Sequence, residues 1–256
     1  MPFDLELVRS QLPQRRIEWH DVIGSTMTEA RRLAAAGAPS GTIVGAEEQT
    51  EGQGRLGRTW LSEPASGLYV SVILRRCFSP ATLPVVTLAL GLAVRDSIFK
   101  STGLPCDLRW PNDLLIESKK CAGILTQLES SAGPAAILAG IGINVNHSCF
   151  PPDLAPIATS LRIACGRPQS RERLLLELLP SIDRHCDVLQ KQGTGAIIEA
   201  FTHVSSYASG RRVCVEQDGA ELRGITAGLN NSGFLNVRDD QGRNWVILAG
   251  GVRPCS

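Results

Sequence analysis

The chain has 256 residues, 43% of them hydrophobic and 20% charged, with a formal net charge of +1. That suits an ordinary soluble globule with one full core and room for a small second unit. It excludes a broad nucleic-acid surface, which needs a marked positive excess, and no apolar run reaches membrane-spanning length.

The N-terminal segment, Met1 to Glu6, lacks the basic and apolar regions of a secretory signal, so a cytoplasmic location is expected. One short helix and then a strand at Arg16 to His20 are expected within the first twenty residues or so. That length leaves no room for an N-terminal helix-turn-helix domain. Gly24 to Gly37 reads as a helix. Thr26-x-x-Glu29 has the capping-box spacing and Gly37 is a natural stop. Ser25 and Thr26 admit two readings: they cap the helix, or they form a donor/acceptor pair for a neutral polar ligand.

Residues 42–48 form a strand that enters the most loaded stretch, Gln49 to Trp60. Gly52, Gly54, Gly57, Arg55, Arg58 and Trp60 fall within nine residues. Backbone N–H groups and two guanidinium groups can there converge on one anion, with the indole free to stack on a ring. Gly52-x-Gly54-x-x-Gly57 matches the dinucleotide fingerprint, and Gly52 to Thr59 has the P-loop spacing with Arg for Lys. Both patterns require a helix starting at the loop. Here residues 68–75 read as a strand, so a strand–loop–strand anion clasp is expected. A plain Gly-rich hairpin is the bland alternative.

Ser79 to Ser101 reads as a long buried helix, opened by Pro80 and Pro84 and ended by Gly103. In Arg109-Trp110-Pro111-Asn112-Asp113, Pro111 breaks a strand and thrusts Asn112 and Asp113 outward. A hairpin across residues 115–119 would return Lys120 to Asp113. The competing reading is a Pro-Asn-Asp turn with a solvated lysine pair. Residues 135–147 read as a core strand whose glycines mark close approach. Asn144 near its end is either a satisfied core amide or an adenine reader. Residues 151–158 form a proline-rich loop. A helix over Ser170 to Lys191 should kink or split at Pro180, and Ala196 to Phe201 form a further one. After Gly210, short strands punctuated by Asp218-Gly219, Asn230 to Gly233 and Gln241-Gly242 imply a small β-barrel. The domains expected are 1–208 and 209–256. The eight cysteines, Cys77 to Cys255, form no CxxC pair, so free thiols are expected. With four histidines and no close ligand spacing, a structural zinc site is not expected.

Gly-Ser-Thr at 24–26, the Gly/Arg loop at 49–60, Arg-Trp-Pro-Asn-Asp at 109–113 with Lys-Cys-Ala-Gly-Ile-Leu at 120–125, and Gly-Ile-Asn at 142–144 together resemble the biotin–protein ligases. The resemblance covers nearly the whole chain from residue 17. It implies an α+β fold: a mixed, mainly antiparallel sheet with helices, like a class II aminoacyl-tRNA synthetase, plus a small C-terminal SH3-like β-barrel. It points to the ligase-only kind without a DNA-binding domain, monomer or homodimer, with no DNA or membrane partner.

The resemblance implies two reactions. Biotin and ATP, with Mg²⁺, give biotinyl-5′-AMP. The acyl group then passes to a lysine of a biotin carboxyl carrier protein or domain, such as that of acetyl-CoA carboxylase. Arg55, Arg58 and Lys120 would stabilise charge on the phosphate and carboxyl. Asp113 would hold Mg²⁺, or orient the acceptor lysine and take its proton. No metal-ligand set is implied beyond that. Ser25, Thr26, Gln49, the backbone at Gly52, Gln53 and Gly54, and Gly123 would face biotin's ureido ring. Trp60 would pack near the adenylate, and Asn112 and Asn144 would read adenine. Met27 lies in the same biotin motif where the family often has Asn, and supplies no amide. Gln53 stands where it often has Arg, so a faster-leaving adenylate is expected. Two rival readings are lipoate or octanoate transfer, whose Arg-Arg-x-Ser-Gly-Gly-Gly pattern is absent, and a non-catalytic binding module.

Overall fold

The structure, a computed structural model, describes residues 3–76, 80–130, 135–217 and 220–255. Cys77, the helix start at Ser79 and the Asp218-Gly219 turn lie outside them. The first half runs α1 (Leu5–Gln11), β1 (Ile17–Ile23), α2 (Thr26–Ala35), β2 (Ile43–Gln49), β3 (Gly67–Leu74) and α3 (Leu83–Thr102). Then come β4 (Asp107–Arg109), β5 (Asp113–Ile116), β6 (Lys119–Glu129) and β7 (Ala136–Asn144). Helices α4 (Leu161–Cys165), α5 (Arg171–Gln192) and α6 (Thr194–Val204) follow. Strands β8 (Ser209–Gln217), β9 (Ala220–Leu229), β10 (Leu235–Asp239), β11 (Asn244–Ile247) and β12 (Val252–Pro254) close the chain.

Seven strands form one sheet in the order β1-β2-β3-β7-β6-β5-β4. Only β1 and β2, joined through α2, pair in parallel; the other ladders are antiparallel. The two-residue period of the strands sorts their side chains to opposite faces. Ile43, Val70, Val72, Ile137, Ala139 and Ile141 join α3, α5 and α6 in the main core. Val44, Ile73 and Leu138 turn the other way, onto Met27, Ala30 and Leu33 of α2. On that second face β7 continues from Leu138 to Gly140 and Gly142, so the apolar layer thins to bare backbone. The emptied space holds the candidate site.

α3 is apolar nearly all round and ends at Gly103, whose φ of 80° closes its last turn. α5 runs unbroken through Pro180, against the expected split. Pro180 itself is exposed, while its neighbours Leu178, Leu179, Ser181 and Ile182 are buried and hold both halves of the helix to the core.

The C-terminal strands form an antiparallel sheet in the order β11-β10-β9-β8-β12. Among the described residues no ladder joins β11 to β12, so the sheet stays open where a closed barrel was expected. Its outer strands hold only four and three residues, too few to pair around a barrel. Val213, Val215, Leu235, Val237 and Ile247 extend the main core, and Trp110 Nε1 donates to the Gly233 carbonyl at 2.9 Å. Cys214 and Cys255 form a disulfide, with Cα atoms 5.2 Å apart, correcting the expectation of free thiols throughout. Antiparallel pairing of β12 with β8 sets Arg253 opposite Cys214 and brings Cys255 into reach. Cys106, Cys121, Cys149, Cys165 and Cys186 are free. No helix of the described residues is long and apolar enough to cross a membrane.

Candidate active site

The floor of the site is one cross-strand row. Tyr69 of β3 stands opposite Gly142, Gly142 opposite Gly123, Gly123 opposite Asp113, and Asp113 opposite Arg109. The Trp60 ring lies on the two glycines: a Cβ at Gly142 would sit 2.5 Å from its Cε2, and one at Gly123 2.9 Å from its Cζ3. No side chain fits beneath that ring. Lys120 reaches the same face through a β-bulge. The register of β5 on β6 slips between Leu114, opposite Ala122, and Leu115, opposite Lys120. The extra residue swings the lysine toward Asp113. The turn before it carries Glu117 and Ser118 at φ 49° and 66°, the signs of a tight two-residue hairpin.

Loop 49–60 is a clasp. Gly54 N donates to the Arg58 carbonyl at 2.7 Å and Trp60 N to that of Gly52 at 2.9 Å, and Gln53 bridges Thr59. Only a 3₁₀ turn, Arg55–Gly57, occurs within it. A helix N-terminus facing a phosphate, which dinucleotide and P-loop sites require, does not follow the glycines. Arg58 is exposed and makes no ion pair among the described residues.

Two chambers open on this floor. The inner one, about 50 Å³, is lined by Ser25, Thr26, Met27, Gln49, Gln53 and Gly140, among others. The expected capping box does not form. Ser25, not Thr26, is the N-cap, and its side chain makes no cap bond. Glu29 pairs with Arg32 instead of reaching back. Thr26 Oγ1 meets Gln49 Oε1 at 3.0 Å and Ser71 Oγ at 2.8 Å, and Gln49 Nε2 donates to Ser62 at 3.0 Å. These partners come from β2, β3 and the loop, and they outcompete local capping. Ser25 Oγ is left buried without a partner, as is Trp60 Nε1. An unpaired buried polar atom is costly, so the Ser25 hydroxyl, lining this chamber, is a vacant place for a ligand's hydrogen bond.

The outer chamber, about 250 Å³, is lined by Arg58, Arg109, Asp113, Asn144, Phe150 and Gly251, among others. Five residues line both chambers: Gly54, Arg55, Trp60, Asn112 and Lys120. Lys120 Nζ lies 2.5 Å from Asp113 Oδ1 and Arg109 Nη2 lies 2.7 Å from Oδ2. Burial pushes the Asp113 carboxyl up, but Lys120 and Arg109 override it and hold it below its ordinary value. Two cations on one carboxylate leave a net positive charge beside the passage. Lys120 also stands 5.2 Å from the Trp60 ring centroid. Arg55 donates to Asn112 Oδ1 at 3.0 Å, and Asn112 Nδ2 donates to the Ile124 carbonyl at 2.9 Å. Burial lowers the Arg55 guanidinium, with Asp113 opposing.

Most of the expected site residues therefore meet. Gly52 lines neither chamber; a Cβ there would stand 2.5 Å from the Trp60 carbonyl, so it serves the loop's fold. Asn144 lines the outer chamber with its amide donating to Thr159. Arg109 as a second clamp on Asp113, Phe150, Ile157 from the proline-rich loop, and Gly250 to Val252 were not foreseen as site residues. Only Arg109 carried a signal, its place in the Arg-Trp-Pro-Asn-Asp run. Among the described residues the sole metal-type cluster is Glu18, His20 and Glu29, which lines neither chamber.

The fold is α+β, and its glycine-floored cleft has a neutral polar end and a cationic end. Residues 19–144 match the model of the biotin/lipoate A/B protein ligase family. The chain is 33% identical, over 98% of its length and 95% of the relative's, to a biotin–[acetyl-CoA-carboxylase] ligase of Mycobacterium tuberculosis. It is 38% identical over 175 residues to the bifunctional ligase/repressor BirA of Bacillus subtilis, and that match spans 54% of the longer protein. It superposes on biotin protein ligase from Aquifex aeolicus in complex with biotin and ATP with a TM-score of 0.82, at 28% identity, covering 94% of this chain and 99% of that one. This chain belongs to the biotin/lipoate A/B protein ligase family.

Proposed function

We propose that the chain is an ATP-dependent biotin–protein ligase. It would form biotinyl-5′-AMP and then biotinylate a lysine of a carboxyl carrier domain, such as that of acetyl-CoA carboxylase. The observation that carries this reading is the junction. A neutral polar chamber and a cationic chamber meet at Arg55, Trp60 and Lys120, where a carboxylate and an α-phosphate would have to meet.

In the first step a biotin carboxylate oxygen bonds to the α-phosphorus and pyrophosphate leaves. Negative charge builds on the phosphoryl oxygens, and Lys120 and Arg55 stand ready to stabilise it. Asn112 orients Arg55, and Arg109 with Asp113 orients Lys120. Arg58, exposed and without an ion pair among the described residues, supplies a further cation to the phosphates. In the second step the neutral amine of the acceptor lysine attacks the acyl carbon, AMP leaves with the electron pair of the broken C–O bond, and the proton shed by the amine passes to the leaving phosphate. The low Asp113 basicity and its two cationic partners favour an orienting role over that of a base. Mg²⁺ would arrive on the phosphates of ATP and neutralise their charge, with Asp113 as the nearest carboxylate. Ser25 offers the free hydroxyl to the ureido ring, while Thr26 and Gln49 hold that end in shape. Trp60, Gly123 and Gly142 form the floor, and Asn144 faces the nucleotide.

Residues 1–208 would form the catalytic domain and 209–256 an SH3-like unit in open form, with Gly250 to Val252 helping to wall the ATP half. A cytoplasmic monomer or homodimer acting on a carrier protein completes the reading. The test is ATP–pyrophosphate exchange with Mg²⁺, comparing biotin, lipoate and octanoate, with Lys120→Ala as control. Biotin-dependent exchange that collapses in the mutant is expected. Exchange with lipoate instead, or with no acid at all, would overturn it.

A further inference from the structure

Met27 is 3% exposed and sits in two environments at once. It belongs to the buried cluster with Leu33, Val44 and Leu138, and it lines the inner chamber. Its Sδ would lie only 2.8 Å from a Cβ at Gly140. The thioether therefore fills the space directly above bare β7 backbone. A ligand with one carboxylate must place that end at Lys120 and Arg55. A neutral ring bearing N–H and C=O groups then belongs at the free Ser25 hydroxyl. The wall left over is Met27, Val70 and Leu125, and it faces the ligand's least polar edge.

We propose that Met27 makes the inner chamber selective for an unoxidised thioether ring. This rests on reading that chamber as the biotin half of the site. Sulfur against sulfur is a polarisable, apolar contact. An S-oxide would bring a strong acceptor against the side chains of Met27, Val70 and Leu125, which carry no donor; the free Ser25 hydroxyl is taken by the ring, and the unpaired Trp60 Nε1 stands over Gly142, two residues along β7 from the Gly140 that Met27 covers. The hydroxyls of Thr26 and Ser71 are bonded to each other at 2.8 Å, and Thr26 also to Gln49. Burying an unpaired acceptor costs about tenfold or more in binding. Asparagine at position 27 would supply the missing N–H.

The experiment is pyrophosphate exchange by the purified protein with biotin and with biotin sulfoxide, read as the ratio of kcat/KM values. The wild type and Met27→Leu should favour the sulfide by about tenfold or more, and Met27→Asn should narrow that ratio. Asparagine buried in the apolar cluster threatens folding, so Met27→Thr, a smaller donor, is run beside it. A wild-type ratio near one would overturn the proposal, as would an unchanged ratio in a folded donor variant that still exchanges biotin. Absence of any biotin-dependent exchange is a separate result: it would remove the ligase reading and this proposal with it.

Discussion

The two chambers share a floor and differ in how they are prepared. In the inner one, the hydroxyl and amide groups of Thr26, Ser71, Gln49 and Ser62 are already bonded to one another, and Ser25 alone holds an open hydroxyl. In the outer one, the groups are charges: Lys120 and Arg109 on Asp113, Arg55 on Asn112, and Arg58 without an ion-pair partner among the described residues. A neutral ligand gives little Coulomb energy, so its pocket must be shaped in advance. A polyanion supplies the attraction itself, so its pocket needs cations with one end left to bind it. Substitutions should follow that division: inner changes act on which acid is chosen, outer changes on how fast it is activated.

The largest effect is expected from Lys120→Ala, which should lower pyrophosphate exchange by about 10²- to 10³-fold, the usual loss for a charge-stabilising donor. Biotin binding without ATP should fall far less. Equal losses in both measurements would erase the division between the chambers. Next comes His147, fully buried behind the outer chamber, stacked 5.1 Å from Phe150 and 3.4 Å from the Tyr69 hydroxyl. Burial pushes its imidazole down to about 4. The unfolded chain binds a proton near pH 6.5 that the folded chain refuses, so stability falls as pH drops from about 6.5 toward 4. The loss should reach roughly 3 kcal/mol at full span. Urea titrations at pH 7 and pH 5 should show it, and His147→Gln should flatten the slope. A third, smaller effect attends Asp113→Asn. Lys120 and Arg109 lose their shared counter-charge, and kcat should fall by roughly tenfold, as for a charged hydrogen bond. Because the Asp113 carboxyl is held below its ordinary value, its contribution is complete above about pH 4 and fades only as pH falls through that lowered value. A base with the usual carboxylate pKa would instead give a rate that drops from about pH 5 downward.

Much of this was legible in the chain because each residue type has a narrow use. Glycines at 140 and 142 inside an apolar strand announced a close approach, and Met27 and Trp60 are what approach. Of the two readings open for residues 111–120, the hairpin and not the solvated turn is the one that forms and returns Lys120 to Asp113. What could not be read depended on distant partners. Thr26-x-x-Glu29 fits a capping box equally well, and only Gln49 and Ser71, brought in by the sheet, redirect the threonine. The slip at β5 and β6 leaves no mark in composition, yet it decides which face Lys120 takes. The outer wall at Phe150 and at Gly250 to Val252 joins segments far apart in the chain. The Cys214–Cys255 pair, 41 residues apart, had no spacing signal, and the short strands that leave the last sheet open look like the hairpins of a closed one.

The smallest effect probes the seam between the chambers. Gln53 is exposed on the clasp and lines the inner chamber near Gly54 and Arg55. A guanidinium there would add a cation beside the acyl–phosphate position without displacing any buried group. Exposed pairs are worth about 0.2–1 kcal/mol, so Gln53→Arg should slow release of biotinyl-5′-AMP by roughly two- to fivefold. Biotin binding in the absence of nucleotide should hardly change, because the ring end is neutral. Stopped-flow release of preformed adenylate, with the Trp60 environment as a fluorescence reporter, measures the first, and equilibrium biotin titration the second. Slower release with unchanged biotin affinity would place position 53 on the charged side of the seam. Tighter biotin with unchanged release would move it to the neutral side, and the boundary between the chambers would have to be redrawn through the clasp.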